Sequence, residues 1–171
     1  MATVFRFLTS PTRVALLLAL ACTGLVGASF FVQHVVGIEP CPLCIIQRFT
    51  YLGLIPVFSA AVLAGEGSAL QRRLLWLAAL GTLLGLAVAG YQTKLQMFPA
   101  PTAEGCSASL SYMLDTMSVT EVLGKLLQAK GDCADTSFKV LGLTLAQASL
   151  LVFLSYTLLL VRVLVVRSAV R

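Results

Sequence analysis

Of the 171 residues in the chain, 58% are hydrophobic and only 11% charged, and the mean hydropathy is +0.95, whereas soluble domains carry about 25% charged residues. That balance excludes an ordinary soluble domain and leaves an integral membrane protein with room for several spans, one modest loop and no second domain of usual size. The formal net charge of +5 comes without a basic patch interleaved with stacking aromatics, which argues against nucleic acid as a partner.

Four apolar stretches approach the roughly 20 residues a helix needs to cross a bilayer. They run over about Val14 to Val36, Leu43 to Ala64, Leu74 to Tyr91 and Leu141 to Val166. All are apolar on every side, where barrel strands would alternate, so the spans are helices. The first begins like a secretory signal, with Arg6, Arg13 and an apolar core ending ALAC at Cys22, but it continues through Phe30 and Phe31 to Val36 and is read as a retained span. The link GEGSALQRR is short. Within the third span, Gly81 and Gly85 form a small-residue face that lets a neighbouring helix approach, as in ordinary bundle packing.

Pro99 and Pro101 then mark a rigid exit into a long link. In it, Leu110, Met113, Leu114, Met117, Val119, Val122, Leu123, Leu126 and Leu127 follow helical spacing in a segment too polar to span. The spacing predicts an amphipathic helix lying on the membrane surface, or else one packed on the end of the bundle. The fold expected is an all-α membrane protein: a four-transmembrane-helix bundle in one domain, 1–171, with links at about 37–42 and 92–140 on one side. Arg6, Arg13, Arg72, Arg73, Arg167 and Arg171 gather on the other side, while Lys94, Lys125, Lys130 and Lys139 are offset by Glu104, Asp115, Glu121, Asp132 and Asp135. Basic residues stay inside, so both termini are expected in the cytoplasm.

The cysteines follow that sidedness. Cys22 lies within the first span and reads as a small apolar core residue, whereas Cys41, Cys44, Cys106 and Cys133 all fall in the two links assigned to the outer face. An oxidising compartment is where disulfides persist, so these four suggest thiol and disulfide chemistry. In EPCPLCIIQR, residues 39–48, Pro42 suits the first helical position and puts Cys41 at the cap and Cys44 in the first turn. Unpaired backbone N–H groups and the helix dipole there favour an anionic sulfur. Arg48, four residues on, adds a fixed positive charge on the same face, unless it merely reaches back to the interface.

Other readings fit less well. Zinc would want a second close ligand pair, and His34 is the sole histidine; haem attachment would want His where Ile45 stands. For Cys106 and Cys133 a purely structural disulfide is the serious competitor, stabilising the loop by about 3 to 4 kcal/mol in the chain-entropy model.

The order FVQHVVGIEPCPLCIIQR, a third span, LQMFPAP, a cysteine, a long loop with GDCAD and a final span resembles the bacterial disulfide bond formation protein B family, DsbB, over nearly the whole chain. The combination of CxxC, an Arg four residues on and GDC in the second outer loop is its most specific element. The resemblance implies an inner-membrane bundle that reoxidises DsbA, a periplasmic thioredoxin-fold dithiol oxidase, and passes the electrons to a membrane quinone, ubiquinone or menaquinone. By position, Cys106 is the sulfur joined to the partner, Cys133 its disulfide mate and the group that attacks Cys41, and Cys44 the thiolate facing the quinone beside Arg48. Gln96 matches a family glutamine and is a candidate quinone contact; Gln92 stands where the best-known form has a histidine, so that residue's role does not carry over. Two rivals are a bundle of the vitamin K epoxide reductase type, whose CxxC would belong on the last span, and a membrane protein whose cysteines only staple its loops.

Overall fold

The computed structural model describes residues 10–37, 40–98, 118, 139–140 and 142–169. Its helices are α1 (Pro11–His34), α2 (Pro42–Leu63), α3 (Ala69–Met97) and α4 (Leu145–Ala169), with a two-stranded ladder of β1 (Lys139–Val140) and β2 (Leu143–Thr144) before the last. All four helices are long and apolar enough to cross a membrane, as the composition predicts. Apart from Ser118, the amphipathic segment expected at 110–127 lies outside the described residues, as do the exit prolines Pro99 and Pro101 and Cys106 and Cys133.

Helix starts follow local chemistry. Proline occupies the first turn of both α1 and α2, where its missing N–H costs nothing. Ser68 caps α3, its hydroxyl accepting from Gln71 N–H at 3.0 Å. Between α2 and α3 the chain turns at Gly65 and Gly67, both at positive φ, a conformation other residues adopt only with strain.

Two boundaries differ from the apolar pattern. α3 has 29 residues, about 43 Å at the helical rise, and so outruns a hydrocarbon core of about 30 Å. It continues past Tyr91 because Gln92 and Gln96 find partners on neighbouring elements and Thr93 returns its hydroxyl to the Ala89 carbonyl. α4 starts at Leu145 rather than 141, since Gly142 at φ 82° reverses the chain and pairs Lys139 with Thr144 and Val140 with Leu143. Thr144 and Gln147 then cap α4 reciprocally: Thr144 N–H donates to Gln147 Oε1 at 3.1 Å and Gln147 N–H to Thr144 Oγ1 at 3.3 Å.

α1 packs on α2, α2 on α3 and α3 on α4. The shared core holds Val14, Leu18, Cys22, Leu54, Phe58 and Leu160, so Cys22 is the buried apolar residue expected. Leu20, Leu63, Trp76, Leu84 and Leu158 point outward; lipid is their solvent, and no inward destination is required. At the centre Tyr51 stacks on Phe153, with ring centroids 4.5 Å apart and planes within 3°. The Phe153 ring lies against Gly85, where a Cβ would collide with it, and Gly81 faces Leu54 Cδ2. The two glycines thus admit two different helices, α4 and α2.

The end of the bundle that holds the α2–α3 link is tied by one buried amide. Gln71 Nε2 donates to Thr12 Oγ1 at 2.9 Å and to the Ala61 carbonyl at 3.1 Å, while its Oε1 accepts from Gly67 N–H at 3.0 Å. One side chain therefore joins α1, α2, the link and α3.

Overpacking a filled interior costs about 1 to 3 kcal/mol, so Gly85→Ala should lower the thermal unfolding midpoint in detergent. Combining it with Phe153→Leu should recover part of the loss. A single variant as stable as the parent would contradict the close α3–α4 approach.

Candidate active site

The site begins with the cap of α2. Cys41 is extended, at φ −65° and ψ 161°, and its sulfur takes the place of a capping hydroxyl by accepting Cys44 N–H at 3.4 Å. That bond folds the first turn so that the two sulfurs stand 2.9 Å apart. Both cysteines are half-buried. A disulfide needs about 2.05 Å, within reach of a small side-chain rotation. The placement of Cys41 at the cap, Pro42 at the first helical position and Cys44 in the first turn is as the sequence predicts.

The overlong α3 supplies the next layer. Gln92 Nε2 lies 3.2 Å from Cys41 Sγ and 3.2 Å from Cys44 Sγ, donating to both. Its Oε1 accepts from Gln47 Nε2 at 2.7 Å, and only 3% of Gln47 and 2% of Gln92 is exposed. The amide pair is thus nearly closed to water, and both ends of the Gln92 amide are met by protein, as burial demands.

Arg48 faces the other way. Consecutive helical residues point about 100° apart, so while Gln47 meets α3, Arg48 reaches α1. One guanidinium nitrogen donates to Gln33 Oε1 at 2.6 Å and another to the Ser29 carbonyl at 3.2 Å, and the group lies 4.6 Å from the centroid of the Phe30 ring, in cation–π range. Phe30 is stacked in turn on His34. The sequence places Arg48 one helical turn from Cys44 but cannot show that its charge is fastened to the neighbouring helix.

Gln96, one turn beyond Gln92, accepts from Thr144 Oγ1 at 2.7 Å, joining the end of α3 to the cap of α4. Sequence reasoning missed Gln47, Gln33 and Phe30 and treated Gln92 only as a departure from a pattern. The available signal was the cost of an amide inside an apolar helix, which implies a partner.

A helical membrane bundle with a paired dithiol capping one span has the architecture of a membrane-embedded disulfide oxidoreductase. The comparisons agree with that class and narrow it. The family model described as disulfide bond formation protein DsbB matches residues 11–163. Relatives named disulfide bond formation protein B include one from Marinobacter nauticus, 42% identical over 131 residues, or 75% of this chain and 77% of that protein. Another, from Verminephrobacter eiseniae, is 36% identical over 160 residues, covering 91% of this chain and 86% of its own length, and one from Acidovorax is 32% identical over 162 residues, 92% and 89% respectively. The chain belongs to the DsbB family. It is a multi-pass bacterial membrane protein and a disulfide oxidoreductase.

Among the described cysteines, Cys41 and Cys44 are the pair placed to close into a disulfide. In protein carrying Cys106→Ala and Cys133→Ala, mild diamide treatment should join Cys41 to Cys44 and leave Cys22 as a thiol, as read by peptide mass spectrometry. A product linking Cys22, or a pair still open to alkylation, would contradict the arrangement.

Proposed function

We propose that the chain reoxidises a periplasmic thioredoxin-fold dithiol oxidase of the DsbA type and delivers the electrons to a membrane quinone, ubiquinone or menaquinone. In this reading it sits in the inner membrane with both termini in the cytoplasm, so that the cysteine end opens on the oxidising side. The observation that carries it is the dithiol, with sulfurs 2.9 Å apart, capping a helix that enters the membrane. A sulfur pair at that level borders water and lipid at once. Exposed apolar side chains near it, Phe31, Val36 and Phe49, suit an apolar acceptor, and the Arg48 guanidinium suits a quinone oxygen.

Each exchange step conserves bonds. A partner thiolate attacks Cys106, its bond to Cys133 breaks, and Cys133 leaves with the electron pair. Cys133 then attacks Cys41, the Cys41–Cys44 bond breaks, and Cys44 becomes a thiolate. The partner's second thiol displaces Cys106, which returns to Cys133 and frees Cys41, so the two electrons now reside on Cys41 and Cys44. A bound quinone supplies the sink, accepting two electrons and two protons. Arg48, fixed to α1, holds positive charge where negative charge develops, which is where a preorganised charge acts most strongly. Gln96, one turn from Gln92, is the proposed border of the quinone.

Purified protein with Cys22→Ala, Cys106→Ala and Cys133→Ala, given a soluble dithiol and a short-chain ubiquinone, should reduce the quinone, and adding Cys44→Ser should abolish it. No reduction by the parent would overturn the reading. In the full chain, Arg48→Ala should slow quinone reduction about 10²-fold, in the range for removing one preorganised donor, and should leave mixed-disulfide formation at Cys106 nearly unchanged. Equal losses in the two steps would remove Arg48 from the electron-accepting half.

A further inference from the structure

We infer that Gln92 is a catalytic residue of the sulfur pair, an uncharged donor that stabilises the thiolate on Cys44, and that Gln47 is the positioning residue that aims it. The inference rests on the exchange scheme proposed above and assigns the group that receives the leaving sulfur.

The orientation of the Gln92 amide follows from its partners. A thiolate or disulfide sulfur can only accept a hydrogen bond, whereas an amide offers both a donor and an acceptor end. Gln47 Nε2 occupies the acceptor end at 2.7 Å, so the NH2 group is the end that faces the sulfurs, at 3.2 Å from each. Two glutamines paired for structure alone could exchange bonds with one another and leave the cysteines out. Here the chain of donation runs one way, Gln47 to Gln92 to sulfur.

When the Cys133 thiolate attacks Cys41, a bond forms between those two sulfurs, the Cys41–Cys44 bond breaks, and its electron pair passes to Cys44 Sγ. Gln92 already touches that atom and needs no rearrangement to donate to it. A hydrogen bond to an ionised acceptor is about twice as strong as a neutral one, so the contact strengthens as charge arrives, which is what accelerates a step. With Gln92 only 2% exposed, the donor does not exchange its bonds with water and is already aimed when the charge arrives. Arg48 makes its direct contacts with Gln33, Ser29 and Phe30 and acts on the sulfur by its charge, whereas the Gln92 amide touches both sulfurs.

The test compares alkylation of reduced Cys44 by iodoacetamide at neutral pH, which needs no quinone, with single-turnover transfer from Cys133 to Cys41. Gln92→Leu should slow both by about tenfold, a difference of about 1.4 kcal/mol, with the KM for the dithiol partner unchanged. Gln47→Leu, which leaves the donor but unfixes it, should slow them less. Gln92→His, which keeps an N–H donor, should restore most of the rate. Gln71→Leu removes an equally buried amide from the opposite end of the bundle and should lower thermal stability without slowing alkylation. Native alkylation rates in Gln92→Leu, or equal slowing in Gln71→Leu, would overturn the inference. Slowed alkylation in Gln92→Leu together with no quinone reduction by the parent would support Gln92 and sink the quinone reading instead.

Discussion

The structure depends on one constraint: within a bilayer no water is available to satisfy a polar group, so the protein must supply the partner, and the long polar side chains of α2 find theirs on other helices. Gln47 lies in an apolar span, and its amide is met by Gln92 of α3 at 2.7 Å. Arg48, the next residue, is met by Gln33 and the Ser29 carbonyl of α1. Two adjacent residues of α2 thus fasten it to both neighbours at the level of the dithiol. The cysteines need no separate scaffold, because the bonds that make the helix end tolerable in lipid also hold the sulfurs.

The same requirement explains the length of α3. Had the helix stopped with its apolar run at Tyr91, Gln47 would lose its partner and the sulfurs their amide donor. Continuing to Met97 brings Gln92 level with the cap of α2 and Gln96 level with the cap of α4, where Thr144 donates to it. At the opposite end Gln71 does the equivalent work of joining three helices, but it touches no nucleophile. Comparable buried amides therefore join helices at both ends, and what separates them is that Gln92 also touches sulfur.

Much of this was legible in the sequence. The four spans were readable because lipid demands length and hydrophobicity, both of which are local properties. The dithiol was readable because Pro42 fixes the start of a helix and the spacing of Cys41 and Cys44 does the rest. The small face of Gly81 and Gly85 was visible too, though not that it serves two different helices. The pairing of Gln47 with Gln92 was hidden, since they are 45 positions apart and no periodicity links them. The hydropathy pattern also placed the end of α3 where its continuous apolar run stops, at Tyr91, because hydropathy reports where lipid ends and not where a helix does. TLAQ at residues 144–147 has the form of a reciprocal cap and could have located the start of α4.

A sulfur pair at a helix cap has a further consequence for reactivity. Deeper in the bundle, at the level of Cys22, which is fully buried, a thiolate would lose its hydration among mostly apolar side chains. On a free loop it would be hydrated but unpositioned. At the cap, the backbone N–H groups of the first turn and the Gln92 amide take over the role of water while keeping a defined geometry. The half-buried state of Cys41 and Cys44 is therefore suited to their chemistry: open enough for another sulfur to approach, and enclosed enough that oriented dipoles, rather than mobile solvent, meet the charge that each exchange leaves behind.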